Sequence, residues 1–391
     1  MLLHWIWFAE LKSITLMEKH RLLERFGDPE ELYNTADEVL EKLKIVDKNL
    51  MPAEQILRRC AQKGIQLLPI KDSSYPYRLR NTPDAPVLLY YKGILPEWEK
   101  QPAIGIVGTR KASTYGLQAA RQLSCEIAAS GGIVVSGGAS GIDTAAMQGS
   151  VDVGCPVVGV LGCGVDVVYP RSNRKLFEAV VEKGCLISEY APGEEGIPWH
   201  FPARNRIISG ISDGVLVVEA PKRSGALITA QRALEQGRDV FVVPGNINAD
   251  SFVGSNTLLK EGAIPALSGW DVLSCYEFLY PDRVKKNGKM LPANGTEKQD
   301  ALPEFSEKIE TARKKSVDNR VNSTYIELKN SHPALNADEQ AVLAQLTRHP
   351  QEPAEIIAKL DMPSGKVLSA LTMLTVKGLV LKHPGGRVSL K

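Results

Sequence analysis

The chain has 391 residues, 43% of them hydrophobic and 24% charged, with 47 basic and 45 acidic side chains and a formal charge of +2. These values describe a soluble globular chain with room for two or three domains, and the net charge by itself selects no class of partner. No apolar run approaches the roughly 18–20 residues needed to cross a bilayer, which excludes membrane insertion as a reading.

Met1–Phe8 is apolar but has no basic flank or small-residue cleavage site, so it reads as core rather than signal peptide. Through residue 75 the pattern is helical: Leu11, Ile14, Leu22, Leu23 and Phe26 recur at helical spacing, and Gly27-Asp28-Pro29 makes a stop and a restart. Residues 22–32 resemble the helix–turn–helix units of helix-hairpin-helix or sterile-alpha-motif-like domains. A single Gly27 with acidic neighbours favours a structural or partner-binding role there over DNA contact. From 76 to 100, prolines and Gly93 surround the apolar run Val87–Tyr91, a connector carrying one strand into the main domain.

Between 103 and 275, short apolar runs alternate with helical segments. The runs are Ile104–Val107, Ile133–Val135, Val157–Leu161, Cys185–Ser188, Gly214–Val218 and Val240–Val243. Runs without polar alternation belong to strands covered on both faces, so residues 76–280 read as an α/β domain built on a parallel, doubly wound sheet. Residues 281–335 gain charge and lose periodicity, as a flexible linker does. Residues 336–391 regain helices and a closing hairpin with its turn at His383-Pro384-Gly385-Gly386, the outline of a winged helix. Its candidate recognition helix has only Lys366 and Lys377 as cations, weak support for groove reading.

Ligands of an open parallel sheet bind beyond the carboxyl ends of its strands. The loops leaving those ends are rich in glycine, which lets backbone N–H groups approach an anion. They include Gly108–Lys111, Gly137–Asp143 with Ser140, Gly162–Asp166, Lys222–Ala226 with Ser224 and Gly225, and Pro244–Asn246. Trp199–Gly210 adds Arg204, Asn205 and Arg206 at the mouth of a helix, where phosphate is a natural guest. Residues 101–280 hold 14 basic and 17 acidic side chains, yet nine of the 14 (Arg110, Lys111, Arg171, Arg174, Lys175, Arg204, Arg206, Lys222 and Arg223) fall in or beside these loops. An acidic body with a basic rim points to a specific polyanion site.

Other chemistries find little support. The glycines form no dinucleotide fingerprint and no P-loop, and the six scattered cysteines, without metal-ligand spacing, read as reduced core residues of a cytoplasmic protein. No metal or cofactor is expected. His200, the only histidine between 101 and 280, reads as structural. Asp143, Glu189 and Glu219 are strand-end carboxylates that either support turns and arginines or do acid–base work. Tyr169, Phe177, Trp199 and Phe201 are the aromatics available for base stacking, and each reads as core.

Ordered motifs across the sheet domain resemble the DNA-processing protein A (DprA/Smf) family. They run through Gly105–Arg110, Ser136–Asp143, Val160–Asp166 with Tyr169-Pro170, Phe201–Ser209, Glu219-Ala220, Ser224–Ala230, Gly237–Val240, Val243–Gly245 and Gly254–Asn256. The resemblance implies an extended Rossmann-like domain flanked by a helical and a winged-helix-like domain. It further implies a non-enzymatic homodimer that binds single-stranded DNA and loads RecA recombinase in natural transformation and homologous recombination. Arg110 and Arg171 match the family's backbone-binding cations, with Arg204, Asn205 and Arg206 beside them. The same rim contributes Lys111, Gly137, Gly138, Ser140, Gly141, Asn173, Arg174, Ser224 and Gly225 as expected contacts. One departure is Met147, where Ala146 is usually followed by histidine; the missing polar partner weakens a catalytic role for that corner. Two other readings remain: a Rossmann-like phosphoribohydrolase acting on a nucleoside monophosphate, and a scaffold that binds protein through its end domains.

Overall fold

A computed structural model defines the fold and describes residues 2–286, 336–347, 351–360, 362–377, 379–382 and 387–390. These fall into two compact units, one up to residue 286 and one from residue 336.

The first unit opens with five helices: α1 (Leu2–Glu10), α2 (Leu16–Phe26), α3 (Pro29–Tyr33), α4 (Asp37–Lys42) and α5 (Met51–Lys63). Their boundaries follow local chemistry. Thr15 and Glu18 cap α2 reciprocally, Asp28 caps α3, and Gly64 ends α5 in the left-handed conformation that glycine adopts without strain. The apolar start packs inward, with Trp5, Ile6, Trp7 and Phe8 all buried. After α5 the chain forms β1 (Gln66–Pro69), a short helix α6 (Tyr77–Arg80) and β2 (Leu88–Gly93), and β1 pairs antiparallel with β2. The boundary expected near residue 75 therefore lies between two paired strands, and the helices and the sheet share one hydrophobic core.

The sheet continues as β3 (Ala103–Val107), β4 (Ile133–Ser136), β5 (Val157–Val160), β6 (Cys185–Ser188), β7 (Gly214–Val217), β8 (Asp239–Val242) and β9 (Ile264–Pro265). Between them run α7 (Thr114–Ala129), α8 (Ile142–Asp152), α9 (Arg174–Lys183), α10 (His200–Ile211), α11 (Gly225–Glu235) and α12 (Val253–Lys260), with α13 (Gly269–Leu273) after β9. Strand order is β1-β2-β6-β5-β4-β3-β7-β8-β9. All neighbours from β6 through β9 are parallel, as the unalternating apolar runs predict, and β2 alone runs against them. Winding proceeds outward from β3 through β4, β5 and β6, then returns to the other side of β3 to lay down β7 and β8. The order thus reverses between β3 and β7, which opens a crevice beyond their carboxyl ends. Met147 fills the core against β5, where a Cβ on Gly159 would lie 3.0 Å from its Cε. Of the cysteines, Cys60, Cys163 and Cys185 are buried, whereas Cys275, expected in the core, is exposed.

Residues 281–286 of the expected linker pack onto this unit: Val284 is buried and Lys285 N–H donates to Ser130 O. The rest of that linker, 287–335, and the hairpin turn expected at 383–386 lie outside the described residues. The second unit has helices Ala337–Leu343, Pro353–Lys359 and Ser364–Val376 and an antiparallel pair, β10 (Val380–Lys382) and β11 (Val388–Leu390). Val342, Ile356, Val367, Leu371 and Leu374 form its core. Lys377 is ion-paired with Glu339 at 2.6 Å. No helix of the described residues is long and apolar enough to cross a membrane.

Candidate nucleic-acid interface

The crevice between β3 and β7 holds a cavity of about 330 Å³. Gly108–Arg110 line it after β3, Ala139 and Asp143 after β4, and Arg223–Ala226 after β7. Phe201, Arg204 and Asn205 enter from the first turns of α10. Gly141 is what lets two of these walls meet: its φ is +84°, and a Cβ there would lie 2.4 Å from Thr109 O.

Several of the expected contact residues build the cavity from beneath. Arg204 is 3% exposed, and its Nη1 donates to the main-chain oxygens of Gly137, at 2.5 Å, and Val160. A Cβ on Gly137 would stand 2.5 Å from both the Arg204 guanidinium and Asp143 Oδ2, so the two charges face each other across that glycine. Burial pushes the Asp143 carboxyl up to about 6, against the opposing pull of Arg204, Arg110 and the N–H groups of Ala139 and Gly137. Asn173 is buried and donates to Gly138 O at 3.0 Å and Thr144 Oγ1 at 2.8 Å, tying the turn after β5 to the loop after β4. Arg206 points away from the cavity, where its guanidinium grips Glu189 at 2.7 and 3.1 Å and reaches Asp84 at 3.5 Å.

The carboxylates of the other strand ends are similarly held. Glu219 is fully buried and accepts from the Ser113 N–H and hydroxyl at 3.0 and 2.8 Å, fixing the loop that starts α7. Glu189 is held by Arg206. His200 stacks on Tyr190 with ring centroids 3.8 Å apart, its Nδ1 lies 3.2 Å from Gly162 O, and it does not line the cavity.

The exposed cations behave differently. Arg110, Lys111, Arg171, Arg174, Lys222 and Arg223 are all exposed, and among the described residues no carboxylate lies within 4 Å of any of them. Arg110 and Arg223 line the cavity itself, Arg110 with its guanidinium 4.9 Å from the Phe201 ring centre. Tyr169 also packs against Phe201, with ring centres 5.3 Å apart. Two aromatics expected in the core are instead open: Trp199 is 69% and Tyr169 45% exposed, both on rim loops left uncovered among the described residues. Phe177 is core.

Of the expected contacts, the cavity brings together Arg110, Arg204, Asn205, Ser224 and Gly225, with Asn205 Nδ2 donating to Gly225 O at 3.2 Å. Gly137 and Gly138 are buried beneath, while Lys111, Ser140, Arg171 and Arg174 are exposed alongside. The loops after β7 and β5 are three strand positions apart, about 14 Å, so the rim is longer than the cavity and suits an extended ligand. Thr109 and Phe201 also line the cavity, although the expected contact set omits them. The sequence signal for Thr109 is its position at a strand end, and for Phe201 a helix start together with its aromatic ring.

Comparison with known proteins places this geometry. The DNA recombination-mediator protein A family matches residues 66–277, and the DprA winged helix domain matches residues 327–386. DNA processing protein DprA of Streptococcus pneumoniae is 44% identical over 213 residues, 54% of this chain and 73% of that protein. Protein Smf of Synechocystis is 33% identical over 401 residues, 98% of this chain and 97% of its own length. The X-ray structure of the Streptococcus pneumoniae DprA superposes with a TM-score of 0.62 at 35% identity, covering 70% of this chain and 98% of that one.

Proposed function

The chain belongs to the DNA recombination-mediator protein A family, and from that premise we propose that its sheet rim holds the backbone of single-stranded DNA without reading sequence and without chemistry. One observation carries the reading. Arg110 and Arg223 face the cavity with no carboxylate partner among the described residues, and Trp199 and Tyr169 are exposed on loops of the same rim, whereas Arg204 and Arg206 are held inside the fold. Free cations supply phosphate attraction, and open aromatic faces give unstacked bases a platform that paired bases cannot use. Asn205, Ser224, Gly225 and the start of α11 add polar groups between them, with Lys111, Ser140, Arg171 and Arg174 continuing the path. Arg204, Asn173, Gly137, Gly138 and Gly141 act by shaping the rim. In this reading the protein is a cytoplasmic, self-associating DNA-processing factor. It protects incoming strands and delivers them to RecA recombinase in natural transformation; family membership is the support for that assignment.

One observation favours the nucleotide-processing alternative: Asp143 lines the cavity with its carboxyl near 6, a range useful for proton transfer. Against it stand the absence of histidine from the cavity lining and the engagement of Glu189 and Glu219. The two readings separate in one experiment. The full chain is titrated with oligothymidylate, duplex DNA and a nucleoside monophosphate at low and moderate salt, while free base is monitored. Salt-sensitive preference for oligothymidylate is expected; base release from the monophosphate would establish the enzyme instead.

A further inference from the structure

The helices before the sheet make a specific set of contacts with the rim, and these converge on one segment. Arg59 and Lys63 lie four residues apart on α5, hence on one face. Arg59 Nη1 donates to Pro192 O at 2.6 Å, and Lys63 Nζ meets Asp166 Oδ2 at 2.5 Å. Asp166 passes the contact on: its other oxygen accepts from Gly193 N–H at 2.7 Å. Gly193 is held at φ +85°, and a Cβ there would lie 2.2 Å from Arg59 Nη1, so the guanidinium seats where only glycine leaves room. From here the path runs to α10. Gly164 N–H donates to Glu194 O at 2.9 Å, Glu194 Oε1 lies 3.6 Å from His200 Nε2, and Phe201 packs where a Cβ on Gly162 would be 3.0 Å away.

We propose that Arg59 and Lys63 are positioning residues for the DNA groove: they hold residues 192–194, and through them Trp199 and Phe201, in the arrangement that receives a strand. The inference rests on the single-strand reading for its functional half, while its structural half stands alone. Asp166 makes the link strong for a partly exposed pair. Its side chain is 7% exposed, and although burial raises its carboxyl, the Lys63 bond and the Gly193 N–H outweigh that and leave it below the usual aspartate range. Removing Lys63 leaves a buried carboxylate with one partner fewer, and the loop has to shift to rehydrate it.

The test uses the full chain and the double variant Arg59→Met/Lys63→Met, with Arg59→Lys/Lys63→Arg as the conservative control. Amide hydrogen exchange is read over residues 189–201 in the free protein, and oligothymidylate affinity is read across a salt series. The methionine variant should exchange faster in that segment and bind about fivefold more weakly, with the slope of log affinity against log salt unchanged; the control should restore both. Unaltered exchange overturns the proposal whatever the DNA result. A slope lower by about 0.7 per removed cation also overturns it, because Arg59 and Lys63 would then be phosphate contacts. If the wild type itself ignores oligothymidylate, the single-strand reading fails, and the exchange data still decide whether α5 holds the segment.

Discussion

Arg204 and Arg223 line the same cavity, and their surroundings differ. Arg204, in the second turn of α10, is enclosed, donates to two main-chain carbonyls and faces Asp143. Arg223, in the loop after β7, is exposed, and no described carboxylate lies near it. Arg204 commits Nη1 to two carbonyls and leaves Nε without a partner among the described residues, and moving the enclosed guanidinium would uncover a buried carboxylate. One that is hydrated and unpaired can exchange water and counterions for a ligand at little cost. On the proposed single-strand reading, the difference separates residues that build the site from residues that would touch the polyanion, although both are basic and on the same rim.

The contrast breaks most visibly at Arg204. Arg204→Ala leaves Asp143 without its opposing charge and two carbonyls without a donor, and should destabilise the first unit by about 3–5 kcal/mol in urea or thermal unfolding. A loss under about 1 kcal/mol with weakened DNA binding would move Arg204 into the contact group.

Asp143 gives the next largest effect, through pH. Its carboxyl is raised to about 6 from an ordinary 3.8, so folding favours the protonated form. Its favourable contribution is therefore complete below about pH 4 and is lost as pH rises through about 6. Wild-type stability relative to Asp143→Asn should accordingly fall by about 1–3 kcal/mol between pH 4 and pH 7. Parallel pH profiles for the two proteins would show that the carboxyl is not held up by burial. A phosphate in the cavity opposes ionisation further, so wild-type affinity for oligothymidylate should rise toward pH 5 more steeply than that of Asp143→Asn.

The aromatic lip comes third. Trp199→Ala should reduce oligothymidylate affinity roughly tenfold, the value of one stacked base, with the melting temperature unchanged since the ring is exposed. Equal affinity would remove Trp199 from the groove. Gly225→Ala is the mildest probe. Nothing lies within 4 Å of a Cβ at that position, so the fold should tolerate it with a change under about 0.5 kcal/mol. If a phosphate approaches the start of α11, affinity should still drop about two- to threefold, an effect readable in the same titration.

The sheet was legible in the sequence because strands buried on both faces write themselves as continuous apolar runs: β3 through β8 each coincide with one. β1 was not, because four residues after a helix carry too little pattern, and β9 has only two. Partnering across sequence also hides function. Arg204 and Arg206 are two residues apart in a helix, so periodicity alone puts them about 200° apart and on different faces. Which of them meets Gly137 and which meets Glu189 depends on residues 67 and 17 positions away. Exposure of Trp199 and Tyr169 was illegible for a related reason: an aromatic beside proline looks the same whether or not another segment covers it.

The most direct test of the division between building and touching residues is the salt dependence of oligothymidylate binding for wild type, Arg110→Ala/Arg223→Ala and Arg206→Ala. The double variant should lose at least tenfold in affinity at low salt, and its slope should be lower by about 1.4, which corresponds to two phosphate contacts. Its stability should be unchanged, and Arg206→Ala should keep the wild-type slope. A double variant that binds with the wild-type affinity and slope would contradict the assignment of the cavity as the DNA site.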